Sequence, residues 1–151
     1  MQIRYANTED ARRISYLIQK NTANVPENNY SQEQMTAWKR ANSPKAIRES
    51  MKRRIIFCAF ENKKLVGTIG LKENKVVGLY VSYSRRKSGI GRKLLTHLET
   101  HARTHGLKEL VLTSTPSAKN FYTSNGFEII KPVIVTILNV HFHETLMRKT
   151  F

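Results

Sequence analysis

The hydrophobic period of the chain changes once, near residue 55, dividing it into a helical first third and a strand-rich remainder. After an alternating Ile3-Arg4-Tyr5, apolar residues fall at Ala11, Ile14, Leu17 and Ile18, the one-sided spacing of an amphipathic helix. Thr8 reads as its cap, with Glu9 and Asp10 as an acidic first turn. Thr22 to Tyr30, holding Pro26 and several asparagines, reads as a loop. Ser31-x-x-Gln34 is a capping box ahead of Met35, Ala37 and Trp38. Ser43-Pro44 then places a cap and a first-turn proline before a short helix ending near Arg54.

From Ile55 the pattern becomes that of strands: residues 55–60, 65–71 and 75–81, with turns at Glu61-Asn62-Lys63-Lys64 and near Glu73-Asn74, predict an antiparallel meander. A second amphipathic helix runs from about Gly89 to His105 on Ile90, Leu94, Leu95, Leu98 and Ala102, and Gly106 stops it. Leu107–Thr113 reads as a strand. Thr115-Pro116 opens a helix that Asn125-Gly126 closes, and residues 127–151 supply two strands broken near Leu138-Asn139. The order β-α-α-β-β-β-α-β-α-β-β, without repeat or linker, predicts one domain over residues 1–151. Its class is α/β (α+β), a mixed, mostly antiparallel sheet of about seven strands flanked by about four helices.

Composition narrows the setting. No apolar run approaches the ~20 residues of a membrane span, and Met1-Gln2-Ile3-Arg4-Tyr5 lacks the apolar heart of a signal peptide, so a cytoplasmic protein is expected. The single cysteine, Cys58, excludes an intrachain disulfide; its place in Ile55-Ile56-Phe57-Cys58-Ala59-Phe60 favours a core residue over a catalytic thiol. The net charge of +15 is spread out, with 15 Lys/Arg against 7 acids over residues 1–75 and 11 against 4 over 76–151. Spread charge suits an anionic cofactor, nucleic-acid contact or plain solubility. It opposes a polycationic acceptor unless a local acidic pocket overrides the field.

Candidate chemistry concentrates in Arg86-Lys87-Ser88-Gly89-Ile90-Gly91, which follows the strand Val76–Val81 and opens a helix. Strand, glycine turn and helix start make an anion site, because backbone N–H groups converge there and the helix dipole adds positive charge. Gly89-x-Gly91 lets main chain approach a diphosphate, with Arg85, Arg86, Lys87, Arg92 and Lys93 around it. A third glycine and a Gly-Lys-Ser/Thr ending are both absent, which excludes the two commoner phosphate loops. The segment resembles the Arg/Gln-x-x-Gly-x-Gly/Ala signature of the GCN5-related N-acetyltransferases, the GNAT family, whose loop holds the pyrophosphate of acetyl-CoA. About 30 residues on, Ala118-Lys119-Asn120-Phe121-Tyr122-x-x-x-Gly126-Phe127 resembles the family's Ala-x-x-Phe-Tyr-x-x-x-Gly-Phe segment. The element order is also the family's, and the resemblance covers essentially the whole chain. Tyr30-Ser31-x-x-Gln34-x-x-x-Trp38 and Phe142-x-x-x-Leu146-Met147-x-Lys149 are similar to a bacterial subgroup of uncertain acceptor.

The resemblance implies that the main chain of Leu79, Tyr80 and Val81 binds the pantetheine arm like an added strand. It implies that Arg86, Lys87, Ser88, Gly89, Ile90, Gly91 and Arg92 hold the pyrophosphate, and that Thr115 and Asn120 touch the cofactor's far parts. Tyr122 takes the place of the tyrosine that protonates the departing thiolate, a role suited to a phenol of ordinary pKa near ~10; a core tyrosine beside Phe121 is the alternative. The usual glutamate position holds Lys75, which cannot serve as a base unless strongly desolvated, and Tyr83 replaces a frequent proline. That leaves a water chain or a residue of the variable region as base, with Glu33, Glu73 and His141 as candidates. Trp38 and Tyr30 either line an acceptor pocket or pack on the core. His97, His101 and His105 share a helix face and His141-x-His143 a strand face. With no cysteine or carboxylate to complete a ligand set, no metal is expected. The expected activity is transfer of acetyl from acetyl-CoA directly to a primary amine of a small molecule, peptide or protein, with no membrane partner; a homodimer is compatible with it. Two other readings stay open: action on aminoacyl-tRNA, with nucleic acid as a less favoured partner, and a non-catalytic acyl-CoA sensor or nucleic-acid-binding module.

Overall fold

The computed structural model describes residues 1–23 and 30–151, so most of the loop expected between Thr22 and Tyr30 lies outside the described residues; Thr22 itself ends in a helix. The strands are β1 (Gln2–Tyr5), β2 (Ile55–Glu61), β3 (Lys64–Lys72), β4 (Lys75–Val81), β5 (Glu109–Ser114), β6 (Glu128–Ile137) and β7 (Val140–Thr150). They form one sheet in the order β1-β2-β3-β4-β5-β7-β6. Five helices accompany them: α1 (Ala11–Ala23), α2 (Gln32–Ala41), α3 (Pro44–Ser50), α4 (Ile90–Thr104) and α5 (Lys119–Ser124). Ser31 and Ser43 each accept an amide hydrogen bond at the start of their own helix, so α2 and α3 stay separate. At the first helix the cap is Asn7, not Thr8. Its side chain accepts from the Glu9 amide (3.0 Å) while its own amide donates to Asp10 (2.9 Å), and Thr8 belongs to the short turn that follows.

Strand alternation divides the core between two faces. Phe57 and Ala59 of β2 meet α4 through Leu94, Leu95, Leu98 and Ala102, whereas Ile56, Cys58 and Phe60 face α1 and α3 through Ala11, Ile14, Leu17 and Ile47. Cys58 is fully buried, and burial pushes its thiol up to about 12, so it is a core residue. Gly67 on β3 brings α4 close: a Cβ there would stand 2.8 Å from Leu94 Cδ1 and 3.1 Å from Ile90 Cγ2. Among the described residues no helix is long and apolar enough to cross a membrane.

The site is positioned by an irregularity at the centre of the sheet. Between the pairs Gly70↔Val77 and Thr68↔Tyr80, β4 holds one residue more than β3, and Gly78 takes up this bulge at φ +65°. On its other edge β4 pairs with parallel β5 only at Lys75↔Val111. Beyond that pair the two strands part, opening a gap between two edges of main chain.

Candidate active site

The gap widens into a cleft of about 340 Å³. At one end stands the N-terminus of α4. Gly89 precedes the helix at φ +86°, and a Cβ there would meet nothing within 4 Å. The first helical hydrogen bond runs from the Lys93 amide to the Gly89 carbonyl at 3.0 Å, so the amides of Ile90, Gly91 and Arg92 have no acceptor within the helix. The Ile90 side chain is buried in the core, leaving its amide as its contribution to this surface. A Cβ on Gly91 would sit 3.4 Å from Phe121, so the second glycine serves the approach of α4 to α5. Lys87, Ser88 and Arg92 are exposed around the turn, and the Ser88 hydroxyl donates to the Arg85 carbonyl.

The surrounding arginines divide. Arg85 is held in a bidentate pair by Glu61 (2.8 and 2.9 Å), which lowers the Glu61 carboxyl and commits this cation elsewhere. Arg86 lines the cleft, donates to Asn21 Oδ1 at 3.3 Å and lies over the Tyr83 ring. Leu79, Tyr80 and Val81 form the β4 edge of the cleft. Because the Ser82 amide donates to Val66 of β3 (2.8 Å), alternation turns the Val81 amide to the opposite edge, into the gap.

The other end is made of side chains. The Tyr122 ring stands edge-on to Phe121 (5.2 Å) and Phe127 (5.7 Å), so it is a core tyrosine that also lines the cleft. No described residue hydrogen-bonds its hydroxyl, and burial pushes its pKa up, keeping the phenol protonated. Facing the same cleft is Glu144 of β7, partly buried, its carboxyl raised by burial against the opposing influence of the Thr113 hydroxyl and Lys75. Trp38 Nε1 donates to the Tyr80 hydroxyl at 2.8 Å, and Tyr30 lies 5.6 Å from the Trp38 ring and 6.1 Å from that of Phe142. Burial raises the Tyr80 phenol to about 12. Trp38 and Tyr30 therefore line the cleft.

Other sequence candidates are dispersed. Thr115 lines the cleft, whereas Asn120 is exposed on α5 away from its lining. Lys75 lines it. Glu33, Glu73 and His141 do not: Glu33 is exposed on α2, Glu73 occupies the β3–β4 turn at φ +56°, and His141 lies 3.1 Å from the Thr136 hydroxyl. His97 and His101 set their edges on Phe57, and His101 stacks on His105 at 4.1 Å, an aromatic stripe on α4. Glu144 is the residue that sequence reasoning passed over. Its signal is the spacing Phe142-x-Glu144-x-Leu146, which puts one carboxylate between two apolar residues on a single strand face.

A family model described as an acetyltransferase (GNAT) domain matches residues 26–146. The chain belongs to the GNAT acetyltransferase family. It is accordingly an acetyl-CoA-dependent N-acetyltransferase. Solved structures share this GNAT fold over nearly the full length. A GCN5-related N-acetyltransferase from Rhodopseudomonas palustris superposes at TM-score 0.92 with 22% identity, covering 99% of this chain and 95% of that one. The PaiA N-acetyltransferase from Thermoplasma acidophilum, solved in complex with coenzyme A, gives 0.83 with 23% identity and coverages of 99% and 98%. An aminoglycoside 6′-N-acetyltransferase complexed with coenzyme A gives 0.71 with 20% identity, covering 99% and 97%. At these identities the likeness is one of fold. No curated protein matches the chain.

Proposed function

We propose that this GNAT protein transfers acetyl from acetyl-CoA directly to a primary amine in the cleft between β4 and β5. The observation that carries the reading is the opening of the sheet between unpaired α4 amides at one end and a protonated phenol and a partly buried carboxyl at the other. The amides of Ile90, Gly91 and Arg92 suit a pyrophosphate, helped by the helix dipole and by Arg86, while Thr115 stands where the cofactor passes. The β4 edge at Leu79, Tyr80 and Val81 accepts the pantetheine arm as a strand would, and the Val81 amide polarises the thioester carbonyl.

Transfer then needs two protons taken from nitrogen and one given to sulfur. Glu144 takes the first from the acceptor ammonium and passes it to solvent, and the freed amine nitrogen attacks the thioester carbon. As the C–S bond of the tetrahedral adduct breaks, Tyr122 gives its phenolic proton to the thiolate; the second nitrogen proton leaves to Glu144, giving the neutral amide, and the tyrosinate is reprotonated from solvent. A carboxyl raised by burial is a stronger base than an exposed one, which suits Glu144 to an amine. The test is Glu144→Gln with thiol release measured across pH at saturating acetyl-CoA. The parent enzyme loses kcat/KM as pH falls through the raised Glu144 pKa. The variant is expected to lose ~10²-fold or more in turnover, together with that acid limb. A variant that keeps the parent's turnover and acid limb overturns the assignment.

A further inference from the structure

The wall of the cleft opposite the α4 amides has a composition that selects its acceptor. Of the eleven acidic residues in the chain, Glu144 alone among the described ones lines the cleft, and Lys75 and Arg86 line it too. The lining thus offers one site of negative charge beside Lys75, with Arg86 toward the α4 end, in a protein whose net charge is +15. One ammonium is matched there. A second or third has no carboxylate to meet among the described residues and is repelled by Lys75 and by the field of the whole molecule. Ring and hydrocarbon come from Tyr30, Trp38, Tyr80 and Phe142, with Val135 and Ile137 of β6, while small polar residues, Thr113 beside Glu144 among them, complete the lining. The Trp38 N–H is already satisfied by the Tyr80 hydroxyl, so it offers nothing to a polyhydroxylated body.

We infer that the acceptor is a compact monoamine whose single ammonium stands on an aromatic or otherwise apolar body. The inference rests on the reading of this cleft as the transfer site. Its amine meets Glu144, the group that removes its proton, and its body lies among Tyr30, Trp38 and Phe142, where burial of apolar surface supplies affinity. The cleft discriminates by an unpaired charge: a polyamine or aminosugar brings in ammonium groups that no carboxylate of the described lining meets.

Trp38 is the sole tryptophan of the chain, so its fluorescence reports on this wall directly. Coenzyme A-loaded protein is titrated with 2-phenylethylamine, spermidine and kanamycin, following Trp38 emission, and thiol release from acetyl-CoA is measured with the same three amines. Phenylethylamine is expected to change the emission and to bind at least tenfold more tightly than each of the other two. Glu144→Gln is expected to weaken phenylethylamine about tenfold while leaving uncharged 2-phenylethanol within twofold. Equal or tighter binding of spermidine or kanamycin overturns the inference, as does a Trp38 emission indifferent to phenylethylamine. The two readings fail separately. Thiol release driven best by spermidine sinks the acceptor class but keeps the transfer reaction; tight phenylethylamine binding with no thiol release from any of the amines keeps the cleft's ligand class and sinks the transfer reaction.

Discussion

The two ends of the cleft are built from different materials. The end at α4 is made of backbone: three amides without helical acceptors, a glycine in the left-handed region and a strand edge that has lost its neighbour. The end at β7 is made of side chains from four separate parts of the chain, with Trp38 from α2, Tyr80 from β4, Tyr122 from α5 and Glu144 from β7. Backbone presents the same groups whatever the residue, so the first end suits a cosubstrate common to a whole family. Side chains can be exchanged without disturbing the sheet, so the second end is where acceptors can diverge. Substitutions at one end should therefore affect one substrate and leave the other alone.

The largest expected effect is that of Tyr122→Phe, which keeps the ring against Phe121 and Phe127 and removes only the hydroxyl. Turnover should fall by ~10²-fold or more while acetyl-CoA affinity, measured by calorimetry, stays within about twofold. A parallel loss of cofactor binding would erase the division between the two ends.

A control outside both ends comes next. Asp10 is buried, accepts bonds from Arg4 at 2.8 and 3.0 Å and from Arg13 at 3.3 Å, and the Arg4 guanidinium holds its carboxyl below the usual range. Asp10→Asn should lower stability by about 2 kcal/mol at neutral pH in denaturant unfolding, with both Michaelis constants unchanged. A lowered folded pKa contributes stability above the ordinary carboxylate pKa, and this contribution is lost as pH falls through the folded value. The gap between parent and variant should thus close in acid.

At the backbone end, Gly89→Glu puts a carboxylate beside the free amides and forces a side chain into φ +86°. Acetyl-CoA affinity should drop about tenfold, with turnover at saturation nearly kept. At the side-chain end, Trp38→Phe removes the 2.8 Å bond to Tyr80 and trims the aromatic wall. The acceptor Michaelis constant should rise about threefold and that of acetyl-CoA should not move, the smallest shift of the four. A change in the cofactor constant there would show the ends to be coupled.

Local pattern carried most of the architecture and the backbone end of the site. Capping boxes, the 3.6- and 2-residue periods and the Gly89-x-Gly91 turn express interactions between residues close in sequence, so they could be read before any contact was known. Even there the cap fell one residue early, because Asn7 and Asp10 reciprocate better than Thr8 could alone. Tertiary structure decided the side-chain end. Nothing beside Glu144 in sequence announces that β7 lies next to β5 and that its inward carboxylate reaches the gap left by β4, whereas Glu33, Glu73 and His141 looked equally able to take a proton and point elsewhere. It also decided that Arg85 belongs to Glu61 while Arg86 belongs to the cleft, a distinction between neighbours set by which partner each guanidinium meets across the fold. A backbone site is written in consecutive residues because its groups are consecutive; a side-chain site is assembled by strand order and register, and those follow from the burial of the whole sheet.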